Sequence, residues 1–130
     1  LHIYRFGKSC SIPYPEHNFK PTSFFDIIEQ NYKNDAHTLV FLDIKKEQNR
    51  FMSIKEALQI LLDISKEKGS FFSLDTKVFG VARLGYEDQR IKYGSVKELL
   101  SYDFGDSPHV IIIPKLSKIE DEYVKELYLK

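Results

Sequence analysis

Apolar residues fall along this chain in two alternating patterns. Three segments are short, mainly apolar runs rich in β-branched and aromatic residues: residues 38–44, 76–84 and 110–113. Runs of this length, bounded by turn residues, predict strands buried on both faces. Other segments repeat apolar residues at three- and four-residue spacing, which predicts helices with one buried stripe. Phe24, Ile27, Ile28 and Tyr32 form one such stripe, Ala57, Ile60, Leu61 and Ile64 a second, and Ile119, Tyr123, Val124 and Leu127 a third.

Polar punctuation sharpens the boundaries. Ser23, with Asp26 three residues on, predicts a helix start and a helix over 23–34. Ser53-Ile54-Lys55-Glu56 is a capping box that opens a helix to about residue 67, with Lys68-Gly69 as its stop. Ser95-Val96-Lys97-Glu98 starts a short helix in the same way, and Ser117-Lys118-Ile119-Glu120 a terminal one. Residues 1–14 read as two short extended pieces around Gly7, and Pro13, Pro15 and Pro21 keep the next stretch non-helical. Residues 45–50 read as a charged, solvated loop. Residues 89–93 alternate and predict a strand beside 76–84.

Strands and helices thus alternate. The expected fold is α/β, a mixed central sheet with helices packed on it. No repeat, low-complexity segment or internal linker interrupts it, so residues 1–130 are expected to be one domain. The first residue is Leu, and Leu1-His2-Ile3-Tyr4 already reads as strand, which predicts a chain that begins inside a fold.

Composition narrows the function classes. A chain of 130 residues buries a substantial core. Lys plus Arg and Asp plus Glu both number 19, and a neutral balance argues against a dedicated nucleic-acid binder. The single cysteine, Cys10, allows no intrachain disulfide and fits a reducing cytoplasm. The apolar runs are too short to span a bilayer, so no membrane partner is expected.

Few side chains suggest chemistry by spacing alone. His2, His17, His37 and His109 are scattered, and no metal site is expected. Cys10 has nothing near it in sequence to activate a thiolate and reads as a core residue. Asp103-Phe104-Gly105 matches the magnesium-binding tripeptide of kinases by chance, because the glycine-rich loop and the strand lysine are missing. Three strand–loop junctions remain: Leu42-Asp43-Ile44-Lys45, Ala82-Arg83-Leu84-Gly85 and Ser107-Pro108-His109. Backbone groups at such junctions are available to a ligand. By composition alone a lone histidine such as His109 reads as structural.

A longer pattern covers nearly the whole chain. It includes Tyr4-Arg5-Phe6-Gly7-Lys8-Ser9, Tyr14-Pro15-Glu16-His17-Asn18, Pro21-Thr22-Ser23-Phe24-Phe25-Asp26 and His37 through Lys45. Met52-Ser53-Ile54, Ala82-Arg83-Leu84-Gly85, Asp103-Phe104-Gly105-Asp106 and Pro108-His109 continue it. With these residues the chain resembles the C-terminal half of the archaeal and eukaryotic diphthine synthases. These are S-adenosylmethionine-dependent methyltransferases of the tetrapyrrole methylase (class III) superfamily. The uninterrupted passage after Lys45 looks more archaeal than eukaryotic.

The resemblance implies the C-terminal domain of a two-domain enzyme, with S-adenosylmethionine folded in the cleft between the domains. It implies methylation of the modified histidine of translation elongation factor 2 in diphthamide biosynthesis, and a homodimer. It carries cofactor contacts to Leu42, Leu84 and His109, with His109 beside the adenosine. Methyl transfer from a sulfonium depends mainly on positioning, and the catalytic residues are left unassigned. The loop after Pro114 departs from the family pattern, since Lys115-Leu116-Ser117 stands where the family has Gly next and a histidine further on. The alternatives are a related methylase acting on tetrapyrroles, and a non-catalytic fragment acting as a structural or dimerisation module.

Overall fold

The apolar runs pair into one sheet. A computed structural model describes residues 6–14, 22–45, 48–83, 85–105 and 108–115. Seven strands and three helices lie within them: β1 (Cys10–Ile12), α1 (Ser23–Lys33), β2 (Thr38–Leu42), β3 (Ile44–Lys45), β4 (Arg50–Phe51), α2 (Ile54–Lys68), β5 (Lys77–Ala82), β6 (Arg90–Ser95), α3 (Val96–Leu100) and β7 (His109–Ile113). Five strands form the main sheet in the order β1-β2-β7-β5-β6. β1 and β2 are parallel, while β7 runs antiparallel to both β2 and β5, and β6 antiparallel to β5. The expected mixed sheet with packed helices is therefore the observed architecture. The expected terminal helix from Ser117 lies outside the described residues.

The helices share one face of the sheet. Phe24, Phe25 and Ile28 from α1, Ile54, Ala57, Leu58, Leu61 and Ile64 from α2, and Val96 and Leu99 from α3 are buried there against Ile12, Val40, Leu42, Val78, Ala82, Ile111 and Ile113. Phe79, Val81 and Ile112, at alternate positions on β5 and β7, join Tyr93 of β6 in a second, smaller cluster on the opposite face. The central runs are largely apolar because both clusters draw on them, although Phe41 on the second face is 45% exposed.

Most helix signals act as expected. Ser53 and Ser95 both form complete capping boxes, with Glu56 and Glu98. Gly69 closes α2 in the left-handed conformation at φ 63°. α1 starts at Ser23 as expected, but its cap differs. Its N-cap is Thr22, which makes no side-chain cap, and Ser23 is already helical. Asp26 instead pairs with Lys68 at 3.0 Å, an exposed contact of little energetic weight. The buried stripe of α1 is also rotated: Phe25 is fully buried and Asn31 is on the inner face. Asn31 is buried because its amide donates to the Lys8 carbonyl at 2.8 Å and to Thr38 Oγ1 at 3.0 Å. Those two bonds offset the cost of burying the group.

Residues 45–50 are more than a loop. Ile44 and Lys45 pair antiparallel with Phe51 and Arg50, so a two-residue ladder projects from the sheet. Arg50 stacks over the Tyr14 ring at 4.4 Å and meets Glu56 at 3.2 Å.

One glycine fixes the packing above the sheet. A Cβ at Gly80 on β5 would collide with the Phe104 ring and lie 3.1 Å from Ile54 Cδ1. Gly80 is a notch into which the loop at 102–105 and the start of α2 both press. Gly80→Ala is expected to destabilise the fold by about 1–3 kcal/mol through overpacking. Urea unfolding followed by circular dichroism measures it. An unchanged midpoint would show that the notch is not a packing constraint.

Candidate functional site

The strand directions gather several junctions at one end of the sheet. β1, β2 and β5 finish there, and β7 and β6 begin there. Ile12 pairs with Leu42, and Ala82 pairs with His109. The β2–β7 ladder reaches Phe41 and Val110, so its next step sets Leu42 alongside His109. Side chains alternate along a strand, which puts Leu42, Ala82 and His109 on the helix-bearing face. Of the three expected cofactor contacts, Leu42 and His109 are thus brought together. Leu84 lies outside the described residues. Leu42 is buried in the core, whereas His109 is half-buried at the rim.

His109 has both ring nitrogens engaged by the protein. The Ile54 backbone N–H donates to Nδ1 at 3.3 Å, and Nε2 meets the Gly105 carbonyl at 3.0 Å. A ring whose Nδ1 accepts carries its proton on Nε2, so Nε2 is the donor to Gly105. Ile54 is the first residue of α2 and only 1% exposed. Its N–H is one of those at a helix start that no helical turn can satisfy. Ser53 Oγ takes the Glu56 N–H, and His109 takes that of Ile54.

Asp43, which follows Leu42, ties its own segment to two others. Its carboxylate accepts from the Tyr14 N–H at 3.0 Å and from the Ile44 N–H at 2.9 Å. Its own N–H donates to the Ile12 carbonyl at 3.2 Å, and its carbonyl accepts from the Met52 N–H at 3.0 Å. Sequence reading singled out the segment but gave this residue no role. The available signal was a lone aspartate at the exit of a buried run, where such side chains bond nearby backbone.

The neighbouring junction carries backbone strain. Arg83, just past β5, has φ 53°, a conformation uncommon for a residue with a side chain. Its N–H donates to the Pro108 carbonyl at 2.8 Å, and its guanidinium meets Asp88 at 2.8 Å while lying over the Tyr86 ring. The Arg83 hydrogen bond holds the Asp88 carboxyl below its usual range. Arg90 donates to the Asp103 carbonyl at 2.9 Å. Arg83, Asp88, Arg90, Phe104 and Gly105 enclose a cleft of about 130 Å³. A larger hollow of about 600 Å³ runs from Tyr14 and Arg50 along α2 to Leu100, and neither Leu42 nor His109 lines it.

Other chemistry is sparse. Among the described residues no three His, Cys, Asp or Glu side chains are grouped as metal ligands would be. No described helix is long and apolar enough to cross a membrane. Cys10 is buried in β1, and burial pushes its thiol up to about 11. Its reading as a core residue holds.

Comparison with known proteins agrees with this geometry. No protein-family model matches the chain. The diphthine synthase of Methanocaldococcus jannaschii is 40% identical over 131 residues, covering 98% of this chain and 51% of that protein. That of Methanococcus maripaludis (strain S2) is 42% identical over 130 residues, covering 98% and 51%. Among solved structures, an Entamoeba histolytica protein assigned as a diphthine synthase superposes with a TM-score of 0.88 at 36% identity, covering 98% of this chain and 52% of that one. Another diphthine synthase crystal structure gives 0.78 at 29% identity, covering 98% and 47%. The chain therefore spans about half the length of the curated relatives it matches.

A mixed α/β domain with its strand–loop junctions collected at one sheet end is the class of structure that these comparisons share. The chain is a homologue of the C-terminal half of the diphthine synthases.

Two outcomes are expected from the groups around this end. Asp43→Ala leaves the Tyr14 and Ile44 N–H groups without their acceptor and should cost about 1–3 kcal/mol in urea unfolding, with Asp43→Asn losing less. Equal stability of all three proteins would remove Asp43 from the framework. The Cys10 thiol is raised in the folded state, so the folded chain holds its proton where the unfolded chain has lost it. Stability from Cys10 is full below pH 9 and falls as pH rises from about 9 to about 11, by up to roughly 2–3 kcal/mol. Cys10→Ala should lack this component, which unfolding midpoints across that window would reveal.

Proposed function

We propose that this chain supplies one wall of an S-adenosylmethionine cleft in a diphthine synthase. The whole enzyme then methylates the modified histidine of translation elongation factor 2 in diphthamide biosynthesis. On this reading residues 1–130 are the C-terminal domain, and an N-terminal domain supplies the opposite wall and the loops around the methionine part of the cofactor. The enzyme works as a cytoplasmic homodimer.

One observation carries the reading. Leu42 and His109, far apart in sequence, meet on one face of one sheet end in a chain 40% identical to the M. jannaschii diphthine synthase over 98% of its length. The residues present fit an adenosine. The His109 ring is a half-buried planar edge at the rim, and Leu42 and Ala82, 9% and 0% exposed, back that wall from within the core. Ile44 and Phe51, each about two-fifths exposed, follow on the adjoining ladder. Leu84, at the exit of β5, is the third proposed contact.

When bound, the sulfonium supplies an electrophilic methyl group. What this half contributes is orientation and water exclusion. An amine acceptor must lose its proton and align with the sulfur–methyl bond, so geometry dominates the rate. A sheet end made of backbone junctions and apolar side chains suits that task, and neither Leu42 nor Ala82 carries acid–base chemistry.

The test joins the N-terminal half of the M. jannaschii protein ahead of this chain. Calorimetry with S-adenosylhomocysteine should give a Kd on the order of micromolar, about −8 kcal/mol. The chimera should also transfer methyl groups to elongation factor 2 that carries the unmethylated intermediate. A folded chimera that does neither sinks the proposal, and transfer to a tetrapyrrole instead would reassign the substrate.

A further inference from the structure

We infer that His109 is a positioning residue, a two-ended clasp that sets the cofactor wall, rather than a hydrogen-bonding partner of the cofactor. The inference rests on the cleft reading above and assigns the means by which that site is held in shape.

Both hydrogen-bonding atoms of the ring are spent inside the protein. Nδ1 accepts from Ile54 and Nε2 donates to Gly105. An imidazole has no third hydrogen-bonding site, so a ligand meets only its faces and carbon edge. The two partners belong to different segments. Ile54 opens α2, and Gly105, at φ 74°, ends the turn in which its own N–H donates to Asp103 Oδ1 at 2.9 Å.

The same two segments press together over Gly80. Phe104 is 5% exposed and sits in that notch with Ile54 beside it. Below, the contact is apolar and sets distance; above, His109 adds direction by bonding to both backbones. Its ring is 6.1 Å from that of Phe104. On the β2 side Asp43 accepts from Met52, two residues before Ile54. The segment entering α2 is therefore fastened to β2 and β7 side by side, with Leu42 between the two fastenings.

The experiment uses the same chimera with two substitutions. His109→Asn keeps an acceptor at the place of Nδ1, and His109→Phe keeps a flat ring with no acceptor. Amide exchange at Ile54 is read by NMR well below the melting midpoint, and S-adenosylhomocysteine affinity by calorimetry. For His109→Phe, Ile54 exchange should accelerate at least tenfold and affinity should fall at least tenfold. For His109→Asn the Ile54 end is kept and the Gly105 end is lost, so Ile54 should stay protected and affinity should fall less than in His109→Phe. Partial rescue by Asn but not Phe separates the clasp from a ring-stacking contact, for which Phe is the better substitute.

The clasp is overturned if Ile54 exchange is unchanged in His109→Phe. It is also overturned if His109→Asn loses affinity as fully as His109→Phe while Ile54 stays protected. A parent chimera that binds nothing sinks the cleft reading and this role with it; the losses just named, seen against a binding parent, sink this role alone.

Discussion

The placement of β7 between β2 and β5 is the constraint on which the site depends. Both neighbours run antiparallel to it, so they run parallel to each other. Two strand ends and one strand start then meet at a single rim. Any other direction for β7 would carry His109 to the opposite end of the sheet, away from Leu42 and Ala82. The pairing is held by an unbroken run, Val110 to Ile113, which is apolar toward both layers. The all-apolar run does not by itself fix register, but a one-residue slip would send His109 to the opposite face, away from Ile54 and Gly105.

Close approach above the sheet depends on what is absent as much as on what is present. Gly80 carries no Cβ, and Phe104 and Ile54 use that space. Gly7 plays the same part at the β1 edge, where a Cβ would collide with the Asn31 amide. In both places a missing side chain lets a polar or loop segment come down onto the sheet, and hydrogen bonds then fix it. Asn31 bonds to Lys8 and Thr38 at one edge, and His109 bonds to Ile54 and Gly105 at the rim. Buried polar groups are tolerated there because each bond named replaces one lost to water.

What could be read in the chain beforehand was local. The runs at 38–44, 76–84 and 110–113 and the boxes at Ser53 and Ser95 gave elements close to their final bounds, because periodicity and capping act within a few residues. α1 begins at Ser23 as its pattern predicts, but the capping bond expected between Ser23 and Asp26 is not made, and Thr22 takes the cap position. The ladder at Ile44 and Phe51 was hidden because charged residues dominate that stretch and only two pairs form. Strand order, the Gly80 notch and the partners of Asp43 and His109 are contacts between distant residues, and no spacing rule encodes them. Leu42 and His109 were legible as site residues only through resemblance to a family. The reason they belong together is tertiary.

A histidine suits position 109 for a reason independent of any ligand. The clasp needs an acceptor facing the helix start and a donor facing the loop, a fixed distance apart on one rigid frame. An imidazole in its Nε2–H form supplies both. Asparagine and glutamine also carry both groups, but on one carbon, where the two directions cannot reach segments on either side of the ring. In the segment entering α2, Ser53 is extended, with φ −83° and ψ 161°. An extended residue turns the N–H groups on either side of it to the same side, so Met52 and Ile54 both face the sheet end. The Asp43 carbonyl, just past β2, and the His109 ring, at the start of the adjacent β7, receive them. The first turn of α2 is thus tied to the same two strand ends that border the proposed cofactor, and the geometry of one cannot change without moving the other.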